Sequence, residues 1–175
     1  MIALILRNAV AGKAMLIAIG LGVASTALAE PAKPAREDAG QYFDAEGTPT
    51  YNIRPDGTVD WATYSGYRRY HAECHVCHGP DGEGSTYAPA LVDSLKSMNH
   101  QQFVEVVVQG RQGNVAGKPS VMPALGTNTN VMCYLDDIYV YLRARADGAL
   151  PRVRLEKRED KPKGAKEAEK SCLGE

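Results

Sequence analysis

The sequence predicts an all-α domain over residues 61–150, preceded by an extension and followed by a charged tail. Three observations lead there. Three stretches place apolar side chains at helical i, i+3, i+4 spacing. Each has a capping or stopping residue at an end. The longest interruption between them is rich in Gly, Pro and Asn, the composition of a loop.

Residues 1–29 read as a secretory signal peptide. Arg7 and Lys13 supply positive charge, Ala14 to Ala24 is an uncharged apolar run, and Ala27-Leu28-Ala29 is a small-x-small cleavage site. The uncharged run to Ala29 is 16 residues long. A spanning helix needs about 20, so cleavage is expected rather than an uncleaved anchor. No later segment is apolar enough to span, and export places the mature chain in the oxidising periplasm. Residues 30–60 form an N-terminal extension. Glu30 to Ala39, rich in Pro, Ala and charge, is expected to be a flexible leader. Pro55-Asp56-Gly57, between Tyr51-Asn52-Ile53 and Thr58-Val59-Asp60, predicts a short hairpin.

The first helix is expected from Trp61 to about His75, with Asp60 as N-cap and a stripe of Trp61, Tyr64, Tyr67 or Arg68, and His71 or Ala72. The second runs from Asn99 to Gln109 with Phe103, Val106 and Val107 on one face. Its three consecutive valines would also suit a strand, but Asn99 as cap and Gly110 as stop favour helix. The third runs from about Asn130 to Ala146, with Leu135, Ile138, Tyr139 and Leu142 as its stripe and Gly148 at its end. A loop of about twenty residues between the second and third helices is long enough to expect a function. Residues 151–175 are mostly charged and should not fold alone.

Formal charge is −1 for the whole chain, which gives no reason to expect nucleic acid as a partner. Beyond residue 29 there are eighteen Lys/Arg against twenty-one Asp/Glu. Residues 30–150 hold ten and fifteen, and residues 151–175 hold eight and six. An acidic body with a mixed-charge tail follows, so a basic patch on a partner is expected to aid encounter.

Cys74-His75-Val76-Cys77-His78 carries the chemistry. Two thiols separated by two residues lie on one side of a helical turn and can add to the two vinyl groups of one haem. His78 follows directly, so its imidazole can reach the iron from the same side. A thioredoxin-like Cys-x-x-Cys has no use for His78. A zinc site needs two more ligands, and Cys133 and Cys172 are 39 residues apart, unlike a zinc knuckle. A disulfide between Cys74 and Cys77 would be strained. One covalently attached haem c is therefore the expected cofactor.

From Trp61 to Leu150 the chain resembles the class I c-type cytochromes. The match extends past the attachment motif to Gly66 and Tyr70, eight and four residues before Cys74, and to Tyr141-Leu142 in the last helix. The resemblance implies a cytochrome c fold, three main helices wrapped around one haem, with Gly66 and the aromatics letting the first and last helices cross closely. It also implies that the carbonyl of Pro89 accepts the Nδ1–H of His78, though a plain loop proline would read the same way. The sixth iron position has three methionine candidates beyond residue 29: Met98, Met122 and Met132. Met122 stands in Val121-Met122-Pro123, 44 residues after His78, and the family's axial methionine is commonly followed by proline in such a loop. Met122 is the expected ligand; Met132 or an open position are the alternatives. His71, His75 and His100 are not expected to bind iron.

Cys133 and Cys172 form an even remainder in an oxidising compartment, which suggests a disulfide. Two free thiols, or an intermolecular bridge through Cys172, are the alternatives. The placement of this pair, the aromatic-rich segment from Tyr51 to Tyr70 and the long tail resemble the four-cysteine c-type cytochromes associated with methanol metabolism. That resemblance implies a monomeric electron carrier with no catalytic residues. It would take electrons from a quinoprotein (PQQ-dependent) methanol or alcohol dehydrogenase and pass them to a terminal oxidase or another cytochrome. A fixed haem subunit of a larger complex, or a ligand-binding or peroxidatic haem protein if the sixth position is open, are the other functional classes.

Overall fold

The computed structural model describes residues 33–115 and 117–174, so the expected signal peptide lies outside the described residues. Asp60 starts the first helix, α1 (Trp61–Glu73). Its carboxylate accepts from the Thr63 N–H at 2.9 Å and the Thr63 hydroxyl at 2.6 Å, and also from the Asn52 N–H at 2.8 Å. The chain changes direction at Cys74 (φ −114°) into the single turn α2 (His75–His78), so the helix expected to reach His75 is two pieces. A 3₁₀ turn (Pro80–Gly82) and α3 (Leu91–Ser94) follow. In α4 (His100–Gln109), Asn99 and Gln102 form a reciprocal capping box, and Gly110 at φ 75° ends the helix. The last body helix also splits, into α5 (Thr129–Met132) and α6 (Leu135–Ala146). The expected α6 stripe of Leu135, Ile138, Tyr139 and Leu142 is buried throughout.

The crossing of α1 on α6 organises the core, and it uses the Gly66 and Tyr70 face that the resemblance implies, not the aromatic stripe that helical periodicity picks out. Ala62, Thr63, Ser65, Gly66 and Tyr70 are buried, whereas Trp61, Tyr64, Tyr67 and His71 are only half-buried. Close approach of two backbones requires small side chains, and this overrides the larger apolar area of the aromatics. A Cβ built on Gly66 would lie 1.8 Å from the Asp137 carbonyl oxygen, so only glycine fits there. The Tyr70 and Tyr141 rings meet with centroids 5.5 Å apart.

Two small sheets correct the all-α expectation. β1 (Arg36–Asp38), β2 (Gln41–Phe43) and β3 (Pro49–Thr50) form an antiparallel sheet in that order. The leader is therefore paired from residue 36 onward. The loop before α5 is a hairpin of β4 (Arg111–Val115) and β5 (Lys118–Met122), with Arg111 opposite Met122 and Val115 opposite Lys118. Most of its side chains are exposed on both faces. Backbone hydrogen bonds hold it, and no alternation of apolar residues announces it. The hairpin expected around Pro55 shrinks to one bridge, Ile53 opposite Val59, closed by the Gly57 N–H donating to the Arg54 carbonyl at 2.9 Å.

The tail crosses the body instead of trailing from it. The Val59 N–H donates to the Lys157 carbonyl at 3.2 Å, the Glu159 N–H donates to the Val59 carbonyl at 2.9 Å, and Arg54 pairs with Glu159 at 2.5 Å. The Arg158 guanidinium stacks over the Tyr64 ring at 4.7 Å. The tail ends in α7 (Lys163–Leu173), which Cys172 joins to Cys133 through a disulfide of 2.02 Å. Among the described residues no helix is long and apolar enough to cross a membrane.

Candidate functional site

The Cys-x-x-Cys-His segment sits where α1 gives way to α2. The Cys74 N–H still donates to the Tyr70 carbonyl at 2.9 Å, and the Cys74 carbonyl accepts from the N–H groups of Cys77 and His78 at 3.2 and 3.0 Å. One turn therefore carries both thiols and the imidazole. Cys74 is half-buried, Cys77 exposed and His78 buried, while His75 points into solvent-accessible surroundings.

His78 Nδ1 lies 3.0 Å from the Pro89 carbonyl. A carbonyl only accepts, so Nδ1 carries the proton and Nε2 keeps its lone pair. Burial lowers the His78 pKa, partly opposed by the Pro89 carbonyl, so the ring is held neutral, the form that binds a metal. The Cys74 thiol is pushed up to about 12 by burial first, with Glu73 and Cys77 adding to it. A sulfur kept uncharged suits a neutral thioether better than a thiolate metal site. Among the described residues no group of three or more His, Cys, Asp or Glu could hold a metal ion by itself.

The segment after His78 is braced from several sides. The Tyr70 hydroxyl donates to the Gly79 carbonyl at 2.6 Å, and the Gly84 N–H donates to the His78 carbonyl at 2.8 Å. Buried Arg145 on α6 donates to the Asp81 carbonyl at 3.3 Å and pairs with Glu83 at 2.7 Å. The Asp81 carboxylate accepts from the Tyr141 hydroxyl at 3.2 Å and lies 3.5 Å from His71 Nε2. Sequence reasoning missed Arg145 and Asp81. A signal for the first existed: Arg145 is three residues beyond Leu142, on the apolar stripe of α6, and a cation there needs buried partners.

Met122 ends β5 on a segment tied to α4. The Leu125 N–H donates to the Val107 carbonyl at 2.9 Å and the Gly126 N–H to the Val108 carbonyl at 3.2 Å. A Cβ on Gly110 would lie 2.6 Å from the Met122 carbonyl oxygen, so the hairpin base closes only against glycine. Cys74, Cys77, His78 and Pro89 thus form one unit and Met122 belongs to another. Met122, Met98 and Met132 are all partly buried against the core. Leu91, Val104, Val108 and Leu125 join them as apolar side chains only half covered by protein. Two thiols on one turn and an imidazole whose Nδ1 is held by the Pro89 carbonyl fit a covalently attached haem.

Residues 62–142 match the family described as "Cytochrome C oxidase, cbb3-type, subunit III". The chain is 56% identical over 140 residues to cytochrome c-553I of Paracoccus denitrificans, covering 80% of this chain and 62% of that protein. It therefore spans less than two thirds of that relative's length. It is 42% identical over 100 residues to cytochrome c-555 of Methylococcus capsulatus, covering 57% of this chain and 75% of the relative. A crystal structure of the c-type cytochrome XoxG from Methylobacterium extorquens AM1 matches with a TM-score of 0.77 and 60% identity, covering 82% of this chain and 87% of that one. The fold and these relatives define a c-type cytochrome. This chain belongs to the class I c-type cytochromes, and its cofactor is one covalently bound haem c.

Proposed function

We propose that this is a periplasmic, monomeric electron carrier in which Cys74 and Cys77 hold the haem through thioethers and His78 and Met122 are its axial ligands. The observation that carries the reading is the Pro89 carbonyl 3.0 Å from His78 Nδ1, which leaves Nε2 as the ligating nitrogen beside two cysteines of one turn. When bound, haem c supplies an iron that alternates between Fe(III) and Fe(II), one electron at a time. The chain's own residues set its character. The Pro89 hydrogen bond fixes the imidazole and raises its basicity. A methionine sulfur is a soft donor that favours Fe(II) and so raises the potential.

The proposed donor is a quinoprotein methanol or alcohol dehydrogenase, and the acceptor a terminal oxidase or another cytochrome. The second cysteine pair, the aromatic segment from Tyr51 to Tyr70 and the long tail support it through their likeness to cytochromes of methanol metabolism. Stopped-flow reduction of the holo-cytochrome by such a dehydrogenase tests it. Reduction faster than that of a free haem peptide, and slowed by salt, is expected. A rate no faster than the peptide's removes this donor. A second reading, a fixed haem subunit, draws on the match of residues 62–142 to a family described as an oxidase subunit. Gel filtration of native extract separates them: elution at the size of one chain supports the shuttle, co-elution with a large complex the subunit.

A further inference from the structure

We propose that the groove between α1 and the stretch of tail at residues 152–155 binds a small organic polyanion, one carrying two or more carboxylate or phosphate groups. This goes beyond the electron-transfer reading and does not depend on it: none of residues 74–80 lines the groove.

The groove has a volume of about 690 Å³, within the range of small-molecule sites. One wall is α1, the other is the tail, and Asp81 closes one part of it. The tail wall is fixed at both ends. On one side the Leu150 N–H donates to the Ala144 carbonyl at 3.1 Å, and Arg145 donates to the Leu150 carbonyl. On the other, Val59 bonds through its backbone to Lys157 and Glu159 at 3.2 and 2.9 Å. The groove therefore exists before a ligand arrives, and binding does not have to order the tail.

The charges select the ligand. Three arginines line the groove, Arg68, Arg152 and Arg154, and Asp81 is the one acid. Asp81 is already matched: it accepts from the Tyr141 hydroxyl at 3.2 Å and lies 3.5 Å from both His71 Nε2 and Arg152 Nε. Arg68 on one wall and Arg154 on the other are exposed, and among the described residues neither makes an ion pair or a side-chain hydrogen bond. Exposed arginines scattered singly need no ligand. Two that share one groove repel each other, and an anion between them relieves that. Each guanidinium fork takes both oxygens of one carboxylate or phosphate, so two free forks call for a ligand with at least two anionic groups. The rest of the lining suits the carbon frame that joins them. Tyr64 and Tyr67 are half-buried with ring centroids 6.5 Å apart, and among the described residues neither hydroxyl donates a hydrogen bond. Val153 is 51% exposed and Leu155 half-buried. An inorganic ion would leave these contacts unused.

The test titrates the reduced holo-protein and follows its backbone amide shifts by NMR. Citrate, fructose 1,6-bisphosphate and acetate are the probes, compared at one ionic strength. Citrate and the bisphosphate are expected to give saturable shifts centred on residues 64–71 and 152–155, with acetate at least about tenfold weaker. The double variant Arg68→Gln, Arg154→Gln should weaken the tighter probe by at least about tenfold. Arg111→Gln removes an exposed cation on the β4–β5 hairpin instead and should leave that affinity unchanged. Both groove arginines are exposed, so the variant's remaining amide shifts and its unfolding midpoint should match the parent's. Binding of citrate alone identifies the ligand as a polycarboxylate, and of the bisphosphate alone as a phosphate ester; either supports the site. No saturable shift from either probe, acetate binding as tightly as citrate, shifts centred away from the groove, or an equal loss in Arg111→Gln overturns the proposal.

Discussion

Pro89 contributes no side-chain chemistry, yet its carbonyl selects the His78 tautomer, and Tyr70, Arg145 and the Gly84 N–H fix the segment that connects the two. Met122 is held through the backbone around it, by the ladder to Arg111 and by Leu125 and Gly126 donating to α4. Replacing it with alanine should abolish the far-red band of the methionine-ligated ferric protein and let the ferrous protein bind carbon monoxide. Survival of the band would move the ligand to Met132 or Met98. Asp137 makes a separate prediction at this scale. Desolvation at the α1–α6 crossing, opposed by a hydrogen bond from Ser65, pushes its carboxyl from 3.8 up to about 7. Between those values the folded chain holds a proton that the unfolded chain releases, so this group's contribution to stability declines as pH rises from about 4 to 7. Asp137→Asn removes the titration. Urea unfolding should show the variant gaining on the parent as pH rises through that window, and parallel stability profiles would refute the assignment.

At the scale of elements, the closeness of α1 to α6 sets the tolerance of the fold. Gly66→Ala forces a methyl group into the Asp137 carbonyl and should cost at least about 3 kcal/mol in denaturant unfolding. Gly113→Ala, in the open hairpin with nothing within 4 Å, should stay within about 0.5 kcal/mol of the parent. The same crossing explains what could be read from the sequence. Asp60, Asn99 and Gly110 announced their helix ends because caps are local chemistry, and the α6 stripe announced itself because one helix face is buried from end to end. Periodicity did not pick out the buried face of α1, because ranking by apolar area favours Trp61 and Tyr64 over Ser65 and Gly66; the family resemblance did, through Gly66 and Tyr70. The hairpin was hidden by exposure on both faces. The tail helix α7 has good helix formers in Ala, Lys and Glu, but what docks it is remote: Tyr134 donating to Glu169 at 2.5 Å, and the bridge to Cys133. The motif residues of the site were legible, since attachment chemistry demands fixed spacing. Its bracing by Asp81 and Arg145 was not, since those contacts join residues sixty or more positions apart.

On the scale of the whole molecule, the disulfide ties the tail back over the aromatic face of α1, where Arg158 and Lys161 lie over the Trp61 ring. Cys172→Ser should lower unfolding stability by up to about 4 kcal/mol, the chain-entropy value for a loop of 39 residues, and an unchanged midpoint would mean that noncovalent contacts alone hold the tail. Residues 30–150 carry fifteen acids against ten bases, yet residues 74–80, which hold the attachment turn, contain no Asp or Glu. That arrangement has meaning only if the cofactor is joined to Cys74 and Cys77. Intact-mass spectrometry of protein matured in an exporting host, before and after acid-acetone extraction, tests this most directly. The account predicts a mass increased by one haem that survives extraction and is lost in the Cys74→Ala, Cys77→Ala double variant. A bare-chain mass, with all pigment in the acetone, would contradict it.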